Sequence, residues 1–178
     1  MLYQTLNNGV EMPMLGYGVF QTPPDQTERC VAEALEVGYR LIDTAQAYGN
    51  EEGVGAAVRT SSVPREDVFI TSKIWVSDMT YERATASIDE SLRKLDTDYI
   101  DLMLIHWPQG NDISTWRALQ DACTERLASR RPAQLLATRS RKSSGPPTTR
   151  RSWIRWILTP ISSSTGYRPP WIRILGAP

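Results

Sequence analysis

Four ionisable residues of this chain have side-chain types and positions that suit acid-base chemistry. Three short apolar runs end on Asp43, Lys73 and His106, and Tyr48 follows Asp43 closely. A carboxylate, an amine, an imidazole and a phenol are the groups from which acid-base sites are built. We therefore predict that these four residues form one such site, provided that the fold brings them together.

The three apolar runs have the length of strands and lie between stretches of helical pattern. They span residues 39–43, 68–73 and 99–106. Such runs are typical of parallel strands that are buried on both faces. A charge at the last position of each strand then lies at the carboxyl edge of the sheet, which is where α/β barrels place their chemistry.

The segments between these runs predict a hairpin and helices. The hairpin is centred on Asn7-Asn8-Gly9, and an apolar strand with two glycines follows within residues 14–20. Four helices are predicted. The first opens on Pro23-Pro24-Asp25 and is closed by Gly38, the second starts at Glu51 with Asn50 as its cap, the third follows the cap Thr80, and the fourth starts at Trp116. Strands that alternate with helices predict a parallel sheet with right-handed crossovers, here about four β/α units, or half of a (β/α)8 TIM barrel.

Charge divides the chain into two unlike segments. Residues 1–122 contain 9 Lys and Arg against 19 Asp and Glu, whereas residues 123–178 contain 11 Lys and Arg against one acid. The second segment has seven prolines and no sustained helical or strand period. We predict a half-barrel over 1–122 and a basic, irregular and disordered tail over 123–178.

Two cysteines, Cys30 and Cys123, provide no disulfide framework, and no metal site is predicted. The N-terminus has no signal-peptide pattern, and no apolar run reaches the length needed to span a membrane. These features predict a cytoplasmic protein without a membrane partner, and they leave the oligomeric state open.

Four motifs resemble those of the aldo-keto reductases, with the bacterial diketogluconate-reductase-type members most similar. Residues 38–51 read Gly-Tyr-Arg-Leu-Ile-Asp-Thr-Ala-Gln-Ala-Tyr-Gly-Asn-Glu, which resembles the signature of the family. Further matches lie at residues 12–20, 70–75 and 96–108. The resemblance covers roughly residues 1–122.

The resemblance implies reduction of a small-molecule aldehyde or ketone with NADPH. Tyr48 would donate a proton to the carbonyl oxygen, with Lys73 beside it because an ordinary phenol, with a pKa of about 10, is a poor acid near neutrality. Asp43 would hold Lys73 charged and in place, and His106 would orient the carbonyl oxygen.

The resemblance also implies two sets of binding residues. The cofactor would be contacted by Gly18, Val19 and Asp43. The substrate would be contacted by Phe20, Trp75, His106 and Trp107.

Each of these residues also has a structural interpretation. Asp43 alone is typical of a turn or cap, Lys73 of a solvated strand end, and Tyr48 and His106 of packing or core positions. Large aromatic residues such as tryptophan are more often part of a core than of a pocket. The occurrence of all four on successive strands favours the site.

The tail departs from the family. The loops that hold the phosphates and adenosine of the cofactor belong to the second half of the barrel, and nothing recognisable as these loops follows Cys123. One hypothesis is a shifted reading frame. Codons that encode residues 122–126, 128–133 and 160–165 can, when read in another frame, encode short sequences that resemble the next strands of the family. The chain as written would then be impaired as an enzyme.

Two non-enzymatic alternatives remain. The chain could be a remnant of a reductase, or a binding protein whose basic tail contacts nucleic acid. The tail interleaves Trp153, Trp156 and Trp171 with arginines, which superficially suits base stacking. Nucleic acid is disfavoured as a partner because basic tails usually mix Lys with Arg and avoid scattered Trp and Ile.

Overall fold

The computed structural model describes residues 1–6, 9–108 and 112–123. Strands and helices alternate along the chain as the sequence predicts. In order, they are β1 (Tyr3–Thr5), β2 (Glu11–Pro13), β3 (Tyr17–Gly18), α1 (Pro24–Glu36), β4 (Leu41–Asp43), α2 (Glu51–Thr60), β5 (Phe69–Ile74), α3 (Tyr81–Leu95), β6 (Leu102–Ile105) and α4 (112–123).

Four of the strands form one parallel sheet. Its order is β3-β4-β5-β6, so that strands consecutive in sequence are neighbours in space. The helices α1, α2 and α3 connect these strands, which is the β/α pattern expected from the sequence. The prediction of a parallel α/β sheet is therefore confirmed.

The two faces of the sheet bury different cores. Because side chains alternate along a strand, every second residue faces the helices. The larger core lies between sheet and helices and includes Ile42, Ile70, Ile74 and Met103 from the strands with Leu35, Val54, Ile88 and Leu95 from the helices.

The opposite, inner face of the sheet is apolar at only one end. There Leu41, Phe69 and Leu102 pack together, and Leu6, Val10 and Met12 pack against them. These last three belong to the β1–β2 hairpin or its turn, so the hairpin covers the amino end of the inner face. The carboxyl end of the same face carries the polar residues described below.

The predicted hairpin is confirmed by its strand pairing. Tyr3 pairs with Pro13, and Thr5 pairs with Glu11. Around the turn, the Leu6 amide donates to the Val10 carbonyl at 2.7 Å, and Gly9 has a φ of 79° that favours glycine. Asn7 and Asn8 of this turn lie outside the described residues.

Two strands begin two or more residues later than the sequence predicts, whereas β5 begins only one residue later, at Phe69. The run from residue 39 becomes strand only at Leu41, since the Tyr39 amide bonds to the Ala34 carbonyl and completes the end of α1. The run from residue 99 becomes strand only at Leu102, since the Tyr99 carbonyl accepts from Arg65 instead of from a neighbouring strand. In both cases a backbone group that the apolar pattern assigns to the sheet forms its hydrogen bond with a helix end or a side chain instead.

The Arg65 guanidinium ties together the amino ends of β5 and β6. It bonds to the Asp101 carboxylate at 2.9 Å and to the carbonyls of Val68 and Tyr99. Asp101 is buried, and its carboxylate also accepts from the Ile70 amide at 2.9 Å. This network closes the end of the sheet opposite to the polar rim.

Helix caps agree with the sequence in two cases and differ in one. The Thr80 hydroxyl accepts from the Arg83 amide at the start of α3, and Gly38 follows α1 with a φ of 106°. Asn50 precedes α2, but its side chain does not cap the helix. The prediction that the Asn50 side chain caps α2 is therefore wrong. Its side-chain amide bonds instead to Thr44 and to the carbonyls of Val19 and Thr22.

The predicted fourth helix is present over 112–123, and it begins earlier than Trp116. No helix in the described ranges is long and apolar enough to cross a membrane. The basic tail lies outside the described residues, apart from Cys123.

Candidate active site

Asp43 and Lys73 form an ion pair on the inner face of the sheet. The Lys73 Nζ lies 2.7 Å from Asp43 Oδ1 and 2.8 Å from the Thr44 carbonyl. The Lys73 side chain is 13% exposed and that of Asp43 is 36% exposed, so the pair is partly screened from water. The adjacent strands β4 and β5 therefore join a carboxylate and an ammonium at the carboxyl edge of the sheet.

Tyr48 joins this pair from the loop that follows β4. It lies in a single 3-10 turn, Gln46–Tyr48, and its hydroxyl is 3.4 Å from the Lys73 Nζ. An ammonium has three donors and no acceptor, so Lys73 donates to the phenol oxygen. The phenol hydrogen is consequently free to point towards another acceptor.

Four aromatic rings form a continuous row along the rim. Phe20 contacts Tyr48 at 5.1 Å between ring centroids, Tyr48 contacts His106 at 5.9 Å, and His106 contacts Trp75 at 4.9 Å. These rings come from the carboxyl ends of four different strands or the loops after them. The row gives the predicted site an apolar wall beside its proton-transferring groups.

The surroundings of His106 favour the neutral form of its ring. Burial lowers the pKa of His106 from its ordinary value of 6.5, the Lys73 charge lowers it further, and the Asp43 charge opposes both. Its Nδ1 atom is buried and has no hydrogen-bond partner in the described part of the chain. A neutral imidazole can donate one hydrogen bond, as orientation of a carbonyl oxygen requires.

Of the two residues expected to contact the cofactor beside Asp43, only Gly18 has an open surface. Gly18 is exposed at the end of β3, and a Cβ added there would meet no atom within 4 Å. The Val19 side chain is fully buried in the core, its amide donates to the Asp43 carbonyl, and its carbonyl accepts from Asn50. The structure therefore does not expose Val19 to a ligand.

The two predicted tryptophans differ in their settings. Trp75 is partly buried against His106, whereas Trp107 is 68% exposed. Trp107 also has a φ of 60°, which is uncommon for a bulky residue and occurs next to sites more often than elsewhere. Trp107 lies at the rim but outside the row of aromatic rings.

Two side-chain amides near Tyr48 were not predicted as part of the site. Gln46 Nε2 donates to the Ser87 carbonyl and the Ser91 hydroxyl, and Gln46 Oε1 accepts from the Trp75 amide. Asn50 Nδ2 donates to the carbonyls of Val19 and Thr22. One feature of the sequence could have indicated the role of Gln46. Ser91 is a polar residue on the apolar face of α3, so it needs a hydrogen-bond partner, and Gln46 is that partner.

An acid-base cluster on the inner face, at the carboxyl edge of a parallel β/α sheet, is the arrangement found in α/β-barrel enzymes. Comparison with known protein families identifies the family. The sequence profile of the Aldo/keto reductase family matches residues 14–125. The chain belongs to this family, and the resemblance inferred from its motifs is confirmed. The match ends two residues beyond Cys123, close to the change in charge.

Known relatives agree with this assignment. The glyoxal reductase of Bacillus subtilis is 51% identical over 118 residues, which are 65% of this chain and 42% of that protein. The crystal structure of an aldo/keto reductase from Brucella melitensis superposes with a TM-score of 0.67 at 48% identity, covering 70% of this chain and 48% of the other.

A second solved structure includes a cofactor. The Bombyx mori aldo-keto reductase, in complex with NADP, superposes with a TM-score of 0.63 at 34% identity, covering 69% of this chain and 47% of that one. This chain spans less than half the length of the relatives it matches. The fold is thus that of an aldo-keto reductase barrel, represented by its first β/α units.

Proposed function

We propose that this chain carries the proton-transfer site of an NADPH-dependent reductase of aldehydes or ketones. The observation that carries the proposal is the contact of Lys73 Nζ with both Asp43 Oδ1, at 2.7 Å, and the Tyr48 hydroxyl, at 3.4 Å. Isolated structural roles for these residues do not require such a cluster. Glyoxal, the substrate named for the Bacillus subtilis relative, is a suitable test substrate.

Tyr48 is the proton donor of the proposed reaction. It gives its phenol proton to the carbonyl oxygen and becomes a phenolate, which the nearby Lys73 ammonium stabilises. The Asp43 carboxylate and the Thr44 carbonyl occupy two of the three Lys73 donors, so the third is directed at the phenol oxygen. Solvent then returns the proton to Tyr48.

His106 and the aromatic row hold the carbonyl compound. His106 stays neutral near pH 7 because its pKa is lowered, and it donates a hydrogen bond to the carbonyl oxygen. Phe20 and Trp75 stand at the two ends of the aromatic row and bound the apolar part of the substrate. Trp107 extends this wall on the exposed side.

The residues present fit the nicotinamide end of NADPH. When bound, NADPH supplies a hydride to the carbonyl carbon. Gly18 leaves open space at the rim next to Asp43, its partner in the pairing of β3 with β4. The Bombyx mori relative supports the choice of NADP as the cofactor.

A half-barrel is also expected to bind the cofactor weakly. In the family, loops of the second barrel half hold the pyrophosphate, and the sequence after Cys123 shows none of their residues. We therefore propose that residues 1–122 form half of the barrel and that residues 123–178 are the product of a shifted reading frame. The 178-residue chain should then not catalyse NADPH-dependent carbonyl reduction.

The test compares three proteins in an assay of NADPH oxidation with glyoxal. They are the 178-residue chain, a chain whose residues from 123 are replaced by the frame-shifted translation, and its Tyr48→Phe variant. We expect turnover from the frame-restored chain only, with loss of about 100-fold or more in the variant. Turnover by the 178-residue chain contradicts the impairment, and equal turnover by the Tyr48→Phe variant contradicts the proposed site.

A further inference from the structure

The turn that carries Tyr48 is held at both ends by side-chain amides. Gln46 lies at its start and Asn50 lies just beyond it, before α2. We propose that Gln46 and Asn50 are positioning residues, which fix this turn so that the Tyr48 hydroxyl stays beside Lys73. The inference deepens the proposed reductase function and rests on it.

Gln46 joins the turn to α3 and to the end of β5. Its Nε2 is 2.9 Å from both the Ser87 carbonyl and the Ser91 hydroxyl, and its Oε1 is 3.1 Å from the Trp75 amide. Trp75 lies two residues beyond Lys73 on the same segment. A single side chain thereby fixes the distance between the turn and the backbone that carries the ammonium.

Asn50 joins the turn to the loop after β3. Its Oδ1 accepts from the Thr44 hydroxyl at 2.9 Å, and its Nδ2 donates to the carbonyls of Val19 and Thr22 at 2.9 and 3.2 Å. Asn50 is 1% exposed, so replacement of these bonds by water is hindered. The same side chain therefore orders the Phe20 loop and the Tyr48 turn together.

The next residue adds a third attachment. Glu51 Oε1 accepts from the Ser72 hydroxyl at 2.6 Å, and Ser72 precedes Lys73 on β5. The segment from Thr44 to Glu51 is thus attached to β5 by Thr44 and Glu51, and to Trp75, the residue after β5, by Gln46. The turn itself has only short-range backbone bonds, such as that from the Tyr48 amide to the Ala45 carbonyl.

A contact of 3.4 Å depends strongly on such attachment. The bond between Lys73 and Tyr48 is the longest of the three that the ammonium makes, and a small outward movement of the turn breaks it. Misplacement of a catalytic group by about 1 Å costs about 100-fold in rate. Gln46 and Asn50 therefore act through Tyr48 and do not need to touch the substrate.

The test uses a readout that requires neither cofactor nor substrate. Tyrosine labelled with 13C at Cζ is incorporated into the 178-residue chain, and Tyr48→Phe identifies its resonance among the seven tyrosines. Lys73→Met should shift this resonance in the parent because the ammonium contacts the phenol oxygen. In Gln46→Ala and in Asn50→Ala, we expect the shift caused by Lys73→Met to fall by about half or more, as coupled sites require.

The matched control is Gln26→Ala, the same change at an exposed glutamine of α1. It should leave the response of Tyr48 to Lys73→Met unchanged. The resonances of the five other tyrosines among the described residues, Tyr3, Tyr17, Tyr39, Tyr81 and Tyr99, report whether each variant is folded. If an alanine variant unfolds, Gln46→Glu, Ser91→Ala and Asn50→Asp, which each keep part of the hydrogen bonding, decide the question.

A full response to Lys73→Met in the folded Gln46 and Asn50 variants overturns the positioning role. That result leaves the proposed carbonyl reduction intact, since it concerns only the geometry around Tyr48. Conversely, absence of NADPH-dependent turnover in the frame-restored chain contradicts the proposed function without changing the Tyr48 resonance. The two failures are therefore distinguishable.

Discussion

Asp43 and Lys73 form their ion pair across a register offset of two residues. In the pairing of β4 with β5, Asp43 lies opposite Thr71, so Lys73 is one inward-facing position further along. The ammonium nevertheless lies 2.7 Å from the carboxylate, because the long lysine side chain reaches back towards Asp43. This offset leaves Lys73 able to contact Asp43 and Tyr48 at once.

The charge of Lys73 should be measurable through His106. His106 is the only histidine, so its ring protons give an unambiguous NMR titration. We expect Lys73→Met to raise the pKa of His106 towards 6.5, and Asp43→Asn to lower it further, because the two charges act in opposite directions. Shifts with the same sign in both variants would contradict the arrangement.

The lowered pKa of His106 also predicts a pH dependence of stability. Between the pKa in the folded protein and the ordinary 6.5, the unfolded chain binds more protons than the folded chain. The free energy of unfolding should therefore rise with pH through this window and level off above it. Urea unfolding at several pH values checks this, and His106→Gln should remove that part of the slope.

A pair of glycine substitutions should separate packing from open space. A Cβ at Gly55 would overlap the backbone of Leu95, whereas a Cβ at Gly18 meets nothing within 4 Å. We expect Gly55→Ala to cost about 2 kcal/mol, despite the helix preference of alanine, and Gly18→Ala to change stability by less than about 0.5 kcal/mol. Denaturant unfolding of both variants measures the difference. Equal effects would show that α2 and α3 are not in such close contact.

Two of the carboxylates that pair with arginine outside the site, Asp96 and Asp101, should contribute unequally to stability. Asp101 is buried and bonded to Arg65 and the Ile70 amide, whereas Asp96 forms an exposed pair with Arg59. We expect Asp101→Ala to cost about 3 kcal/mol because it leaves a partly buried charge without its partner. Asp96→Asn should cost less than about 1 kcal/mol. A similar loss in both variants would contradict the role given to the Arg65 network.

The hypothesis of a shifted frame is tested by the gene. Sequencing across the codons for Ala122 and Cys123, and beyond that for Pro178, should reveal an extra or missing base. The corrected reading should encode words of the family in place of 123–178. Codons that exclude those words, with the present frame intact, would show that the hypothesis is wrong.

The sequence alone determined the order of the elements and the identity of the reactive groups. Apolar runs of strand length, each ending on an ionisable residue, are sufficient to predict a parallel sheet with Asp43, Lys73 and His106 at one edge, because parallel strands share a direction. Local signals also placed the hairpin turn and the Thr80 cap. The family followed from motifs that are contiguous in sequence.

The tertiary structure decided which side chains hold these groups in place. Asn50 has the local pattern of a helix cap, yet it bonds to the carbonyls of Val19 and Thr22, which are distant in sequence. Gln46 reaches α3, more than forty residues away, and Val19 is buried although its neighbour Gly18 is open. Such contacts depend on how close the folded strands and helices bring donors and acceptors, and a one-dimensional pattern does not contain these distances.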